Sequence, residues 1–560
     1  MEQDDGEDMR GAPIGRDDFK RIRDMGLLYV DKTGLIPEVL RNSGKGVLLF
    51  TRPRRFGKTL NLSMMDAFFN LRYKGNAWFE GLAVDGAEDA ARHKSAYPVV
   101  RISLGGLSTS RFEYFFEELR GKIASAYMDF GYLRDSDRID GVLRKEYLET
   151  SASQFDRNHA ICSVSMLCAM LEAHHGVSPI VLIDEYDSPI NSSMDKDAFD
   201  EIAEFLRSFY TATLKDNAHI SFAVVTGVMQ IAKESIFSGL NNLYVNNILS
   251  EDFSECFGFT RKDVKDVLDE AGHPEKFDEC RGWYDGYRFG STDVYNPWSI
   301  LNYVDRGCRP DVYWANTSSN DIIGNLVDLA GQDTLDELAA LGSGGSVTKR
   351  VEPAVPVRGL LSRKDSIYSV MAMSGYLNAV ACKGGHRLSV PNREVFSVFR
   401  DALLDRAYTD VQSQFRLLFQ GLEKGDIGAI EENAYSILAG NAKSFQLKDE
   451  GDYQLLVAGA AMAMLGSYRV RMEEEAGNGR ADLIMERNSG RRPNIVVEFK
   501  RAKPGEDLLA GAEEGLWQIK EKGYHDGMKG RTILYGICFR NKEAKAVSER
   551  VRASRPLGAR

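Results

Sequence analysis

The chain has 560 residues, 43% of them hydrophobic and 27% charged, with a formal net charge of −11. That length exceeds what one hydrophobic core organises, so two to four globular domains are expected. The acidic balance excludes a nucleic-acid footprint over the whole surface, and no apolar run reaches the roughly 20 residues of a spanning helix, so no membrane partner is expected.

The acidic stretch over residues 1–11, MEQDDGEDMRG, is expected to be a disordered tail and has nothing of a secretory signal. The 7 cysteines form no CxxC pair, which points away from a zinc knuckle or redox dithiol and towards a reducing cytoplasm. Strand-like runs then alternate with helical ones: VLLF (47–50), YPVVRISL (97–104), SPIVLIDEYD (178–187) and ISFAVVTGV (220–228). Their hydrophobicity is continuous, which predicts burial on both faces and hence a parallel sheet covered by helices. Residues 12–255 are read as this α/β domain. A helix entered through Thr260 opens the next stretch, 256–340, read as a helical lid that contains the aromatic-rich WYDGYRFGSTDVYNPWSILNYV (283–304). LGSGGSVTKR (341–350) has the composition of a linker or of a tight hairpin turn, and 341–445 is read as a helical connecting region. RADLIMERNSGRRPNIVVEFKRAK (480–503) reads as two strands around a turn, inside a C-terminal α/β domain over 446–560. Residues 531–560 carry eight Lys/Arg against two Glu, a solvated face with phosphate contact as the alternative.

Chemistry first shows in FTRPRRFGKTLNLS (50–63). A phosphate-binding loop follows a buried strand, turns tightly and opens a helix, so that backbone N–H groups and the helix dipole meet the anion. Leu60, Met64 and Phe68 would form the core face of that helix. Gly57, Lys58 and Thr59 match the end of the GxxxxGK[ST] pattern; Lys58 is placed to bridge the terminal phosphates and Thr59 to hold magnesium. Arg52 stands where the first glycine is usual, at a cost of about 1–2 kcal/mol if it had to be left-handed. IVLIDEYD supplies the second element, with Asp184 for the magnesium shell and Glu185 to polarise the attacking water. Thr226, in FAVVTGV, is either a γ-phosphate sensor or an ordinary strand-end turn.

A second site is foreshadowed near the C-terminus. Glu498 and Lys500 of IVVEFK are i and i+2 of a strand and share a face, with Val497 and Phe499 on the other. An adjacent strand bearing Asp482 would gather two carboxylates and an ammonium, a set that suits Mg²⁺ retaining several waters. The same spacing arises in amphipathic edge strands that bind no metal, so spacing alone leaves both readings open.

PIGRDDFKRI, YVDKTGLI, LLFTRPRRFGKTLNLSMM, VLIDEYDSPI, TGVMQIAKESIFSGLNNL, FGFT, WYDGYRF and VYNPWSI resemble, in order, the AAA-ATPase-like family. Its members are bacterial P-loop proteins that usually carry a C-terminal nuclease-like domain. The resemblance implies ATP and magnesium binding by Arg52, Pro53, Arg54, Arg55, Phe56, Gly57, Lys58 and Thr59, with Asp184 and Glu185 as the second acidic motif. Gln230 stands where many relatives have arginine, which leaves Lys233 and Arg55 as substitutes. Further on, EAGNGRAD, VEFKRAK, GLWQIKEKGYHD and LYGICFRNK resemble the PD-(D/E)xK nuclease superfamily domain. That implies Asp482 and Glu498 as metal ligands, Lys500 as the catalytic lysine and Gln518 as a helix-borne accessory residue. Asp452, Tyr453 and Gln454 depart from the FYH segment of relatives, and Trp517 and Tyr524 are expected to share a helix face in the core. The expected fold is α/β: a P-loop NTPase parallel sheet, a helical middle region and a restriction-endonuclease-like α/β domain. The implied function is ATP-regulated nucleic-acid processing, with ATP and Mg²⁺ as cofactors, DNA or RNA as partner and a homo-oligomer as the candidate assembly. The alternative is an ATP-driven signalling or assembly switch with a catalytically silent nuclease fold as a recognition module.

Overall fold

The computed structural model describes residues 11–194, 196–231, 242–314, 332–342, 344–355, 364–398, 412–441, 468–476, 479–487, 492–503, 505–526, 528–540 and 543–552. The chain divides into two compact units, Met1–Ser319 with Ser346–Ser397, and Asn320–Gly345 with Val398–Arg560. Among the described residues, no helix is long and apolar enough to cross a membrane.

In the first unit the continuous apolar runs become strands β1 (Val47–Thr51), β2 (Val99–Ser103), β3 (Ile180–Asp184), β4 (Phe222–Gly227) and, after the short β5 (Gln230–Ile231), β6 (Leu243–Asn246). Five of them pair in parallel in the order β2-β3-β4-β1-β6. β4 therefore lies between β1 and β3, and the C-terminal ends of all three meet at one edge, with Phe50 opposite Thr226 and Ile183 opposite Val225. Parallel pairing needs long crossovers, here supplied by helices that cover the sheet. α1 (Phe19–Asp24) precedes β1 and packs on α2 (Lys58–Phe69); the crossovers include α2, α3 (Phe112–Met128), α4 (Arg157–His175) and α5 (Phe199–Tyr210). Leu49, Ile102, Leu119, Val164, Ile183, Phe205 and Val225 share one buried core. Each such side chain contributes about 1.5–3 kcal/mol on leaving water. α2 is buried almost all round, through Leu62, Met64, Met65, Ala67, Phe68 and Phe69, so its core face is wider than a single amphipathic stripe.

The middle region holds helices and small sheets together. Thr260 caps α6 (Arg261–Glu270) in a reciprocal box with Asp263. Strands β7 (Phe259–Thr260), β8 (Tyr287–Phe289) and β9 (Thr292–Tyr295) pair antiparallel before α7 (Pro297–Asp305). Gly344 and Gly345 lie beyond α8 (Gln332–Gly342) and lead into β10 (Val347–Lys349). β11 (Ala354–Val355) pairs with β5, while β12 (Asn378–Cys382) and β13 (Gly385–Ser389) complete a sheet with β10. Residues 346–397 thus belong to the first unit, whereas the sequence reading groups them with a connecting region.

The second unit packs α9 (Gln412–Lys424) and α10 (Ile427–Asn441) on a sheet of order β14-β15-β16-β17-β18. Its strands are β14 (Tyr468–Ala476), β15 (Gly479–Arg487), β16 (Asn494–Arg501), β17 (Arg531–Arg540) and β18 (Glu543–Arg552). Only β16 and β17 run parallel among these pairs, joined by the crossover helix α11 (Leu508–Lys522). Strand alternation sends Leu483, Val497 and Phe499 into one core with Leu418 and Ile430, and Ile484 and Val496 into another with Ile519 of α11. Glu498 and Lys500 therefore share the α11 side of β16.

Candidate active sites

β1 delivers the chain into the loop 52–56, and Gly57 turns it through a left-handed conformation (φ 83°) into α2. Position 52 does not need glycine: Arg55 (φ 70°) takes the left-handed conformation, and Arg52 does not. Arg52 also differs from the expected phosphate ligand. Its buried guanidinium donates to Thr51 O (2.9 Å), Asn246 O (3.1 Å) and Asn246 Oδ1 (2.5 Å), and lies over the rings of Phe257 and Phe289. It is a strut between β1 and β6. Its carbonyl and that of Pro53 accept Lys58 Nζ, at 2.9 and 2.8 Å. Burial lowers the Lys58 pKa to about 8, against the opposing pull of Asp184, Asp187 and Glu185.

Residues far away in sequence brace this loop. Phe56 packs on Tyr287 and Phe289, each 5.1 Å between centroids. A Cβ on Gly375 would stand 2.8 Å from Pro53 Cβ, so only glycine allows that approach. Trp314 Nε1 donates to Arg54 O (3.3 Å), and Arg55 lies 4.3 Å over the Trp298 ring. Arg54 and Arg55 are exposed, and Thr59 is half-buried in the first turn of α2.

Asp184 is buried at the end of β3, where its Oδ1 accepts from Thr226 Oγ1 (2.6 Å) and Glu185 N (3.0 Å). The Thr226 hydroxyl is thus bonded to the acid beside the loop. Glu185 is left-handed (φ 52°), and its carboxylate fills the space above Gly105, where a Cβ would stand 2.1 Å from Oε2. Desolvation, then the Asp184 charge, raise the Glu185 pKa.

Sequence reasoning missed the rest of this motif. Asp187 Oδ2 accepts from Val228 N (3.0 Å), Met229 N (2.8 Å) and Asn191 Nδ2 (2.8 Å). The Tyr186 hydroxyl donates to Met229 O (2.7 Å) and accepts from Ile231 N (3.0 Å). Gly227 makes the fit possible, since a Cβ there would stand 2.5 Å from Asp187 Oδ1. This clasp fixes the turn after β4 up to Gln230. Lys233 lies outside the described residues, as do Asp452, Tyr453 and Gln454.

In the second unit, β15 and β16 bring the expected acids to one place. Asp482 Oδ2 accepts from Phe499 N (2.7 Å). Glu498 is buried, and its Oε1 accepts from Lys500 Nζ (3.5 Å) and from Gln518 Nε2. Lys500 Nζ in turn donates to Gln518 Oε1 (2.6 Å). Burial, then Asp482, push the Glu498 pKa up to about 7, although Lys500 pulls it down. Trp517 and Tyr524 differ from expectation. Tyr524 lies beyond α11, past the left-handed Gly523, and is buried beside Gln518, whereas Trp517 is 60% exposed.

Both places fit magnesium by their donor chemistry. Glu498 Oε2 is buried without a hydrogen-bond partner among the described residues, next to Asp482. Asp184 and Thr59 are hard oxygen donors beside Lys58. Each place offers two hard oxygen donors, a set that suits an ion that keeps most of its waters.

A phosphate-loop α/β unit followed by a sheet-borne Asp–Glu–Lys site defines a P-loop protein with a nuclease-type fold in the same chain. Residues 13–237 match the AAA-ATPase-like family model, described as a predicted AAA-ATPase, and residues 448–549 match the PD-(D/E)XK nuclease superfamily. The chain carries one domain of each kind. A protein of Azotobacter chroococcum mcd 1, described as an uncharacterized protein in the vnfD 5′ region, is 29% identical over 565 residues, covering 96% of this chain and 97% of its own.

Proposed function

We propose that this chain binds and hydrolyses ATP in its first unit and cleaves nucleic acid in its second, with the ATP state controlling cleavage. The observation that carries the reading is the meeting of Lys58, Asp184 and Thr226 at the ends of neighbouring parallel strands. Lys58 and the N–H groups opening α2 hold the phosphates, Thr59 and Asp184 hold magnesium, and Thr226 keeps Asp184 oriented. Glu185 orients the attacking water. Arg54 and Arg55 are the exposed cations of the loop and face the charge of the phosphates. In the second site Asp482 and Glu498 hold magnesium, which supplies Lewis acidity when bound. Lys500, oriented by Gln518, stabilises charge on the phosphate under attack. The described cysteines form no disulfide, which suits a reducing compartment, and we place the protein in the cytoplasm.

The test is cleavage of labelled single- and double-stranded DNA and RNA with Mg²⁺ or Mn²⁺, with and without ATP, alongside ATP binding and turnover. Lys58→Ala is expected to lose ATP binding, Glu185→Gln to bind ATP without turning it over, and Lys500→Ala to keep turnover but lose cleavage. If the wild-type protein binds these nucleic acids yet cuts none, the second unit is a recognition module and the cleavage reading fails. If Lys58→Ala binds ATP normally, the loop has been misread.

A further inference from the structure

The loop that follows β2 forms one wall of the space that holds Glu185. β2 and β3 pair in parallel as far as Ser103 opposite Asp184, so the chain leaving β2 runs beside the acids that end β3. Its first residue is still tied to β3, with Leu104 N donating to Asp184 O (2.9 Å). Gly105 comes next, with the Glu185 carboxylate against it, and Gly106 then turns the chain away through a left-handed conformation (φ 72°). Two successive glycines are intrinsically free to take other conformations, so this wall needs holding.

Two side chains of α3 hold it by its backbone. Lys122 Nζ donates to Gly105 O (3.0 Å), and Glu118 Oε2 accepts from Ser108 N (2.6 Å). Four residues apart, the two share one face of the helix. The ammonium meets a carbonyl and the carboxylate meets an amide, so both bonds are charge-assisted and stronger than neutral ones. Further along, Thr109 Oγ1 donates to Ser192 O (2.8 Å) and accepts from Lys196 Nζ (2.9 Å). Of these holds, the one from Lys122 falls on the very residue that the Glu185 carboxylate lies against.

We propose that Lys122 is a positioning residue for ATP hydrolysis, acting on Glu185 through the Gly105 carbonyl. This inference rests on the ATP reading above. By fixing that carbonyl, Lys122 keeps the loop against the Glu185 carboxylate and so sets where the carboxylate holds the attacking water. Without the ammonium, Gly105 loses a charged donor and the glycine pair is free to draw back, which gives the carboxylate room to move. A displacement of about 1 Å is enough to cost roughly 100-fold in rate. Among the described residues Lys122 bonds to no group of the phosphate loop, so its removal leaves the grip on the phosphates in place.

Phosphate-release kinetics and calorimetric titration with Mg-ATP, run on the full chain, test this. Lys122→Met removes the ammonium and keeps an aliphatic stem, whereas Lys122→Arg keeps a cationic donor. Lys122→Met is expected to lower kcat about tenfold or more. Its Kd for Mg-ATP should stay within about twofold of the wild type, which also reports that the first unit is folded. Lys122→Arg should retain most of the turnover. Lys122→Met combined with Gly105→Ala should be no slower than the slower single variant, because both act on one carboxylate. Wild-type turnover in Lys122→Met, a loss of ATP binding that accounts for its lost turnover, or multiplying losses in the double variant would each overturn the inference and leave the ATP reading standing. If the wild type neither binds nor hydrolyses ATP, the ATP reading fails and the inference falls with it.

Discussion

At the scale of single residues, the first site depends on positions where a side chain is missing. Glu185 is a non-glycine residue held left-handed, a conformation that persists only when its surroundings overdetermine it. Those surroundings include Gly105, whose missing Cβ leaves room for the Glu185 carboxylate. Gly105→Ala is expected to displace that carboxylate and lower ATP turnover, on the order of 100-fold for a shift of about 1 Å. ATP binding should be unchanged, since Lys58 and the opening of α2 are untouched; parallel binding and turnover assays check this. Arg52 shows the reverse case. A charged residue in a phosphate-loop motif serves the fold, because its two terminal guanidinium nitrogens donate to carbonyl oxygens and an Asn side chain and its plane lies over aromatic faces.

At the scale of elements, the second site is positioned by how closely α11 lies on its sheet. A Cβ on Gly536 of β17 would stand 1.9 Å from Ala512 O and 2.5 Å from Leu516 N. Gly515 faces this contact from the helix, where a Cβ would stand 3.2 Å from Glu498 O. This contact brings Gln518 within hydrogen-bonding reach of Glu498 and Lys500. Gly536→Ala is expected to lift α11, destabilise the second unit by at least about 2 kcal/mol and abolish cleavage. ATP binding in the first unit should survive. Chemical denaturation monitored together with ATP titration distinguishes this from global unfolding.

At the scale of the whole molecule, one buried carboxylate gathers distant parts of the first unit. Glu394 Oε1 accepts from Tyr313 N (2.6 Å) and Trp314 N (2.5 Å), and its Oε2 accepts from Ser299 Oγ (2.7 Å). Trp314 also reaches the phosphate loop through Arg54, so this cluster links α7, residues 313–314 and residue 394 to that loop. Burial pushes the Glu394 pKa up from 4.5 to about 7, with the hydrogen bonds from Trp314, Ser299 and Tyr313 only partly offsetting it. A folded value above the unfolded one means that the folded state holds the proton more tightly. The stability this gives is full below pH 4.5 and is lost as the pH rises through about 7. Its size is at most about 3.5 kcal/mol, at roughly 1.4 kcal/mol per pH unit. Melting curves between about pH 5 and pH 8 should show the wild type losing stability relative to Glu394→Gln as the pH rises.

The amino-acid sequence by itself determined what is local and periodic. Continuous apolar runs specified buried parallel strands, GKT after such a run specified the loop-to-helix turn, and alternation placed Glu498 and Lys500 on one face. Thr260 marked the start of α6 in the same way, while its reciprocal bond with Asp263 is seen only in the structure. What braces those motifs was settled only in three dimensions. Gly105, Trp298, Trp314, Gly375 and Glu394 lie tens to hundreds of residues from the groups they touch, and nothing in their own neighbourhoods marks the partner. Tyr186 and Asp187 stood in plain view beside Glu185, but their bonds to the turn after β4 depend on β3 and β4 lying side by side. Trp517 and Tyr524 were assigned to one helix face until Gly523 ended the helix between them. Short-range periodicity fixes which residues face the core, whereas the identity of a contact across the fold depends on strand order and helix approach, which no local pattern encodes.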